Sequence, residues 1–97
     1  MIRHIVLFTW TDEATDEQKA AVAAGLAELP GLIPQIRAFT ASADAGFNQG
    51  NADFAVVADF DSEDDYLVYR DDPRHQAVIA ERIKPILASR AAAQLRL

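Results

Sequence analysis

Residues 2 to 10, Ile-Arg-His-Ile-Val-Leu-Phe-Thr-Trp, carry large apolar side chains at both alternations of an extended chain. Side chains along a strand point to opposite faces with a period of two, so Ile2, His4, Val6, Phe8 and Trp10 share one face, and Arg3, Ile5, Leu7 and Thr9 share the other. Such a strand has to be covered on both sides. The stretch Asp53 to Phe60 repeats the demand, with Phe54, Val56, Ala58 and Phe60 forming one wholly apolar face. A chain this short has little with which to meet that demand twice. Its apolar fraction of 51% includes 19 alanines, which bury far less area than leucine, and there is no cysteine to supply a disulfide or a thiolate metal site. Pairing with a second copy is the remaining way to cover the second face.

The rest of the order follows from local signals. Thr15 with Gln18 three residues on is a capping box, and Val22, Leu26 and Leu29 then recur at helical spacing up to Pro30-Gly31, where the helix is expected to stop. Ile36 to Ala41 reads as a strand, and Asp44 to Asn51, with Gly46, Asn48 and Gly50, as a turn leading into the strand at Asp53 to Phe60. Ser62 caps a second helix that places Tyr66, Tyr69 and Arg70 on one side. Asp72-Pro73 interrupts it, because proline favours the first helical position after a capping Asp; the new helix carries Ala77, Val78 and Ile79 inward and ends at Pro85. Ser89 to Leu97 alternates as a last strand. The order βαββαβ predicts an α+β, ferredoxin-like domain over residues 1–97. Its four-stranded antiparallel sheet has both helices on one face, and two copies pack sheet to sheet.

Nine basic against fifteen acidic residues leave a net charge of −6, the wrong sign for binding a phosphate backbone or an anionic membrane. The acidic runs Asp12 to Glu17, Asp59 to Asp65 and Asp71-Asp72 fall at predicted helix starts, where the exposed N–H groups stabilise them. No secretory leader or membrane-length apolar run is present, which points to a cytoplasmic protein. There is no Gly-rich phosphate loop and no serine elbow, and two histidines 71 positions apart without cysteine lack the spacing of a zinc site.

Only two side chains can exchange a proton near neutral pH without help, His4 in the first strand and His75 just inside the helix that begins at Pro73. Each also has an ordinary structural use, His75 bonding a backbone carbonyl at a helix start and His4 bonding a neighbouring strand or Tyr69. The helix N-terminus favours a neutral His75 while Asp71 and Asp72 favour the cation, so the direction of its shift stays open.

Four segments in order, Ile2-Arg3-His4-Ile5-Val6-Leu7-Phe8, Leu29-Pro30-Gly31-Leu32-Ile33-Pro34, Phe60-Asp61-Ser62 and Tyr69 through Asp72-Pro73-Arg74-His75, resemble the stress-responsive A/B barrel domain family, Dabb. The resemblance implies a dimeric α+β barrel with a small, mostly apolar pocket in each protomer and no cofactor. It also implies, for the minority of members that look like polyketide cyclases, a histidine and a tyrosine matching His75 and Tyr69 as catalytic residues. Around them His4, Val6, Phe8, Val22, Leu26, Phe54, Val56, Tyr66 and Ile79 are the expected pocket residues. The cyclase pattern has aromatic residues on the first helix where this chain has Val22, Ala23 and Leu26, and a further histidine where Phe54 stands. Some members hold a divalent cation on backbone carbonyls at the dimer interface, and Pro30, Ile33 and Ile36 are the matching positions. Three readings therefore stand: a ligand-binding homodimer without an assigned reaction, a cofactor-free cyclase-like enzyme, and a purely structural, stress-protective dimer in which Phe8, Phe54, Phe60 and Ile79 fill the interior.

Overall fold

The computed structural model describes residues 1–97. Strand β1 spans Ile2–Trp10, helix α1 Asp16–Leu32, β2 Ala38–Ala43, β3 Phe54–Phe60, α2 Glu63–Asp71, α3 Pro73–Val78 and β4 Leu87–Arg96. A π-helical turn, Ile79–Ile83, and a 3-10 turn, Lys84–Ile86, join α3 to β4. The sheet is antiparallel throughout in the order β2-β3-β1-β4, the ferredoxin-like arrangement, with the two strands that are apolar on both faces at its centre.

The local signals act as expected. Thr15 Oγ1 accepts from the Gln18 N–H while Gln18 Oε1 accepts from the Thr15 N–H, closing the capping box. Ser62 accepts from the Asp65 N–H, and Asp72 accepts from the Arg74 N–H with Pro73 in the first turn of α3. Each such cap is worth about 1 kcal/mol.

Several boundaries move, β4 among them, which starts at Leu87 rather than at the expected Ser89 because it already pairs with Trp10 there. Helix α1 does not stop at Pro30-Gly31 but runs to Leu32, since a proline in the last turn forfeits a single bond and the Ile33 N–H still reaches the Leu29 carbonyl at 2.9 Å. Pro85 does not end a helix; it sits inside the 3-10 turn, after the π turn has already abandoned α-helical spacing. Strand β2 lies two residues later than its sequence pattern, because pairing with β3 runs from Ala38 opposite Asp59 to Ala43 opposite Phe54.

The core lies between sheet and helices. Val6, Val56, Ala58 and Phe60 from the sheet meet Val22, Leu26 and Leu29 of α1, with Tyr69, Val78, Ile83 and Ile86 closing the layer. Gly25 allows α1 to approach α3: a Cβ there would stand 3.1 Å from the Arg82 guanidinium and 3.3 Å from Val78. Arg82 in turn donates to the Ala21 carbonyl at 2.8 Å, tying the π turn to α1.

The opposite sheet face has no layer of its own. Ile5 and Val57 stand opposite one another and only half-buried, flanked by Leu7, Ala55, Ala91, Ala93 and Leu95. At its edge Arg3 donates to both carboxylate oxygens of Asp59, at 2.8 and 3.0 Å, which holds that carboxyl below the usual aspartate range.

Candidate functional site

Between the sheet and the α2–α3 corner the interior is hollow. A cavity of about 310 Å³ is bounded by His4, Val6 and Phe8 of β1, Leu26 of α1, Val56 of β3, Tyr66 and Tyr69 of α2, His75 of α3, and Ile79 and Ile83 of the π turn. Most of its wall is apolar, and the size suits a small organic molecule.

The corner at Asp72-Pro73 decides the chemistry. On an unbroken helix Tyr69 and His75, six positions apart, point well away from one another. Here the capping Asp72 and the restart at Pro73 turn α3 so that the two rings lie 4.1 Å apart, centroid to centroid. His4 joins them from the sheet, 6.1 Å from Tyr69 and 5.0 Å from Tyr66.

Hydrogen bonds assign the protons. His75 Nδ1 lies 3.1 Å from the Arg70 carbonyl, which only accepts, so Nδ1 carries the hydrogen and Nε2 keeps a free lone pair in the neutral ring. Burial lowers the pKa of His75, outweighing the Arg70 carbonyl and Asp72, which favour the cation. The ring is therefore neutral at physiological pH and able to accept a proton. His4 has the reverse arrangement: the Gln94 side-chain amide donates to its Nδ1 at 3.0 Å, leaving Nε2 as the protonated, donating atom. Burial first, then the positive charge of Arg90, brings its pKa down to about 4. Tyr69 is 1% exposed and burial raises its pKa, so the phenol keeps its proton; its hydroxyl has no bonding partner within the protein. Since no sealed polar side-chain atom is left unbonded anywhere in the chain, that hydroxyl borders open volume.

The structural uses foreseen for both histidines are thus present as well, a carbonyl bond for His75 and a neighbouring-strand bond for His4. Each occupies one ring nitrogen and fixes the role of the other.

Of the residues expected at the pocket, His4, Val6, Phe8, Leu26, Val56, Tyr66, Tyr69, His75 and Ile79 border the cavity. Val22 and Phe54 do not. Val22 is sealed in the core on the buried face of α1, and Phe54 sits at the far end of β3 against Trp10, ring centroids 6.1 Å apart. Trp10 itself stacks on Phe8 as a core residue. Phe8 and Ile79 edge the cavity without filling it.

Sequence reasoning missed Arg70, Gln76, Ile83, Lys84, Leu87 and Arg90 on the wall. Ile83 was legible in principle, four positions after Ile79; Arg90 was not, because its face depends on pairing with Phe8 across β1 and β4. At the carbonyls matched to an interface cation, that of Ile33 accepts from the Ile36 N–H at 3.2 Å. No group of three His, Cys, Asp or Glu side chains stands close enough to hold a metal ion, and no helix is long and apolar enough to cross a membrane.

The sequence matches the stress-responsive A/B barrel domain over residues 2–95, so the chain belongs to that family. A dimeric ferredoxin-like protein of unknown function from Thermobifida fusca YX is 47% identical, with a TM-score of 0.91 over 99% of this chain and 90% of its own. A dimeric protein of unknown function and ferredoxin-like fold from Bacteroides fragilis is 27% identical, with a TM-score of 0.84 over 99% and 95% of the two chains. The hydroxynitrile lyase of Passiflora edulis shares the fold at 18% identity and a TM-score of 0.85, covering 99% and 92%. No protein with a curated description matches the sequence.

Proposed function

We propose that this member of the stress-responsive A/B barrel family is one half of a homodimer formed through the open sheet face. Each protomer holds a small, mostly apolar molecule bearing a carbonyl or hydroxyl group, bound beside His75 and Tyr69. The observation that carries this reading is the pair of rings 4.1 Å apart on the wall of a cavity of about 310 Å³, with His75 Nε2 and the Tyr69 hydroxyl both unbonded within the protein. A purely structural dimer gains nothing from this arrangement: an unfilled interior forfeits packing energy, and polar groups facing it forfeit hydrogen bonds.

The protonation states favour a second, stronger reading, cofactor-free proton transfer. Neutral His75 takes a proton from the carbon next to a bound carbonyl through Nε2, and the Tyr69 O–H donates to the enolate oxygen that forms, with His4 Nε2–H as a further donor. The Passiflora neighbour is named as a lyase, and at its distance from this chain it lends only the precedent that the fold hosts an enzyme.

Exchange of the carbonyl-adjacent hydrogens of 4-phenylbutan-2-one for deuterium, followed by NMR in heavy water, tests the step without the natural substrate. Catalysed exchange that falls about 100-fold in His75→Ala supports proton transfer. Equal exchange in the two proteins removes His75 as the base. If the ketone also leaves the resonances of His4, Tyr66 and Ile79 unshifted, the binding reading falls with it.

A further inference from the structure

The cavity mouth has a charge pattern opposite to that of the whole chain. With fifteen acidic residues in the sequence, none borders the cavity, while three cations, Arg70, Lys84 and Arg90, do. Most basic side chains elsewhere are committed: Arg3 to Asp59, Arg37 to Asp61, Arg74 to Asp72, Arg96 to Glu63, and Arg82 to the Ala21 carbonyl. Arg70 is committed too, through two bonds to Asp71 at 2.9 and 3.1 Å, and lends the cavity mainly its stem. Only Lys19, Lys84 and Arg90 make no ion pair or side-chain hydrogen bond, and two of those three stand at this mouth.

Their placement is built by two separate elements. Arg90 lies opposite Phe8 in the β1–β4 register, so its side chain belongs to the helix-facing side of an otherwise alanine-rich strand. Lys84 comes from the 3-10 turn that follows the π turn. Beneath them the wall is Val6, Phe8, Leu26, Val56, Ile79 and Ile83. Two unspent cations over an apolar chamber match a molecule with an anionic end and an apolar body.

We infer that the cavity takes an organic monocarboxylate, its carboxylate met by Arg90 and Lys84 at the mouth and its apolar body lying along the wall toward His75 and Tyr69. The inference rests on the pocket reading above and narrows its substrate class. Arg90 offers a planar fork suited to a carboxylate, and Lys84 adds a point charge. The field of Arg90 already reaches both histidines, holding each toward its neutral form. A bound carboxylate would neutralise that field at the mouth.

Titration calorimetry at neutral pH with 4-phenylbutyrate and octanoate, each against its primary amide, tests the inference in the wild type and in the R90Q, K84Q and double variants. All these substitutions are at exposed positions. The acids are expected to bind about tenfold tighter than the amides, with the gap closing in the double variant through loss of acid affinity. Amides binding as tightly as acids, or an acid preference that survives R90Q/K84Q, overturns the carboxylate inference and leaves the pocket reading standing. If neither acids nor amides bind, or if both bind undiminished when Ile79→Trp fills the cavity, the pocket reading itself fails and the inference with it.

Discussion

The two faces of the sheet are made of similar residues and meet different fates. On the helix side Val6, Val56, Ala58 and Phe60 are 0 to 4% exposed, packed under α1 and the α2–α3 corner, yet the same layer leaves a chamber lined by two histidines and two tyrosines. On the open side Ile5 and Val57 are half-buried and Leu7 and Leu95 are each 41% exposed, with an Arg3–Asp59 pair at the margin and no histidine or tyrosine. One face gives up packing to hold polar groups; the other keeps apolar surface that folding of one chain does not cover. In the proposed function the first face holds a molecule and the second meets another copy. The relatives at 47% and 27% identity are themselves described as dimeric.

Breaking the closed face should cost most. Phe60 is fully buried and packs on both tyrosines, with ring centroids 5.7 Å from Tyr66 and 5.1 Å from Tyr69, so Phe60→Ala is expected to lower stability by about 3–5 kcal/mol in urea unfolding. A loss below about 1 kcal/mol would mean the layer is not the core it resembles.

Breaking the open face should spare the fold and abolish assembly. Leu7→Glu puts a charge at the centre of the proposed dimer contact, and dimer dissociation read by analytical ultracentrifugation should rise at least about 100-fold, with far-UV circular dichroism unchanged. A variant as dimeric as the wild type would move the interface off this face.

The smallest effect distinguishes the chamber from an ordinary core. His4 has a folded-state pKa of about 4, below its ordinary value, so between about 6.5 and 4 the unfolded chain binds more protons than the folded one. Stability is therefore full above the ordinary histidine pKa and falls with pH across that window. After allowance for screening at a cavity wall that opens to solvent, the loss is about 1–2 kcal/mol. His4→Phe should reduce the decline measured by urea unfolding from pH 7 to pH 4.5 without abolishing it, since burial lowers the pKa of His75 as well; an unchanged slope would assign the decline elsewhere. Asp72, held down to about 2 by its bonds to Arg74, responds only below that window.

How much of this was legible depends on the range of the interaction concerned. The capping box at Thr15, the cap at Ser62 and the helix restart at Asp72-Pro73 are set by neighbours within four positions, and each formed where its residues stand. The period of two in Ile2 to Trp10 correctly sorted His4, Val6 and Phe8 to one face. Stop signals were less reliable. Pro30 and Pro85 mark the loss of a hydrogen-bond donor, but a last turn or a 3-10 turn tolerates that loss, so neither ended its segment. The offset of β2 has the same origin, since register belongs to the partner strand. Within the site, His4, Tyr69 and His75 were visible as chemistry, Val22 and Phe54 were assigned a wall they do not form, and Lys84 and Arg90 were not singled out.

By itself, then, the sequence determined the order of elements, the two-faced central strands and the identity of the groups able to move protons, because periodicity, capping and side-chain pKa are local properties. Tertiary structure alone decided that Tyr69 and His75 meet, that each histidine presents one particular nitrogen to the cavity, and that two unpaired cations guard its mouth. Those facts depend on the angle of the α2–α3 corner and the register of β4 against β1, which are settled by packing between residues as far apart as His4 and Gln94.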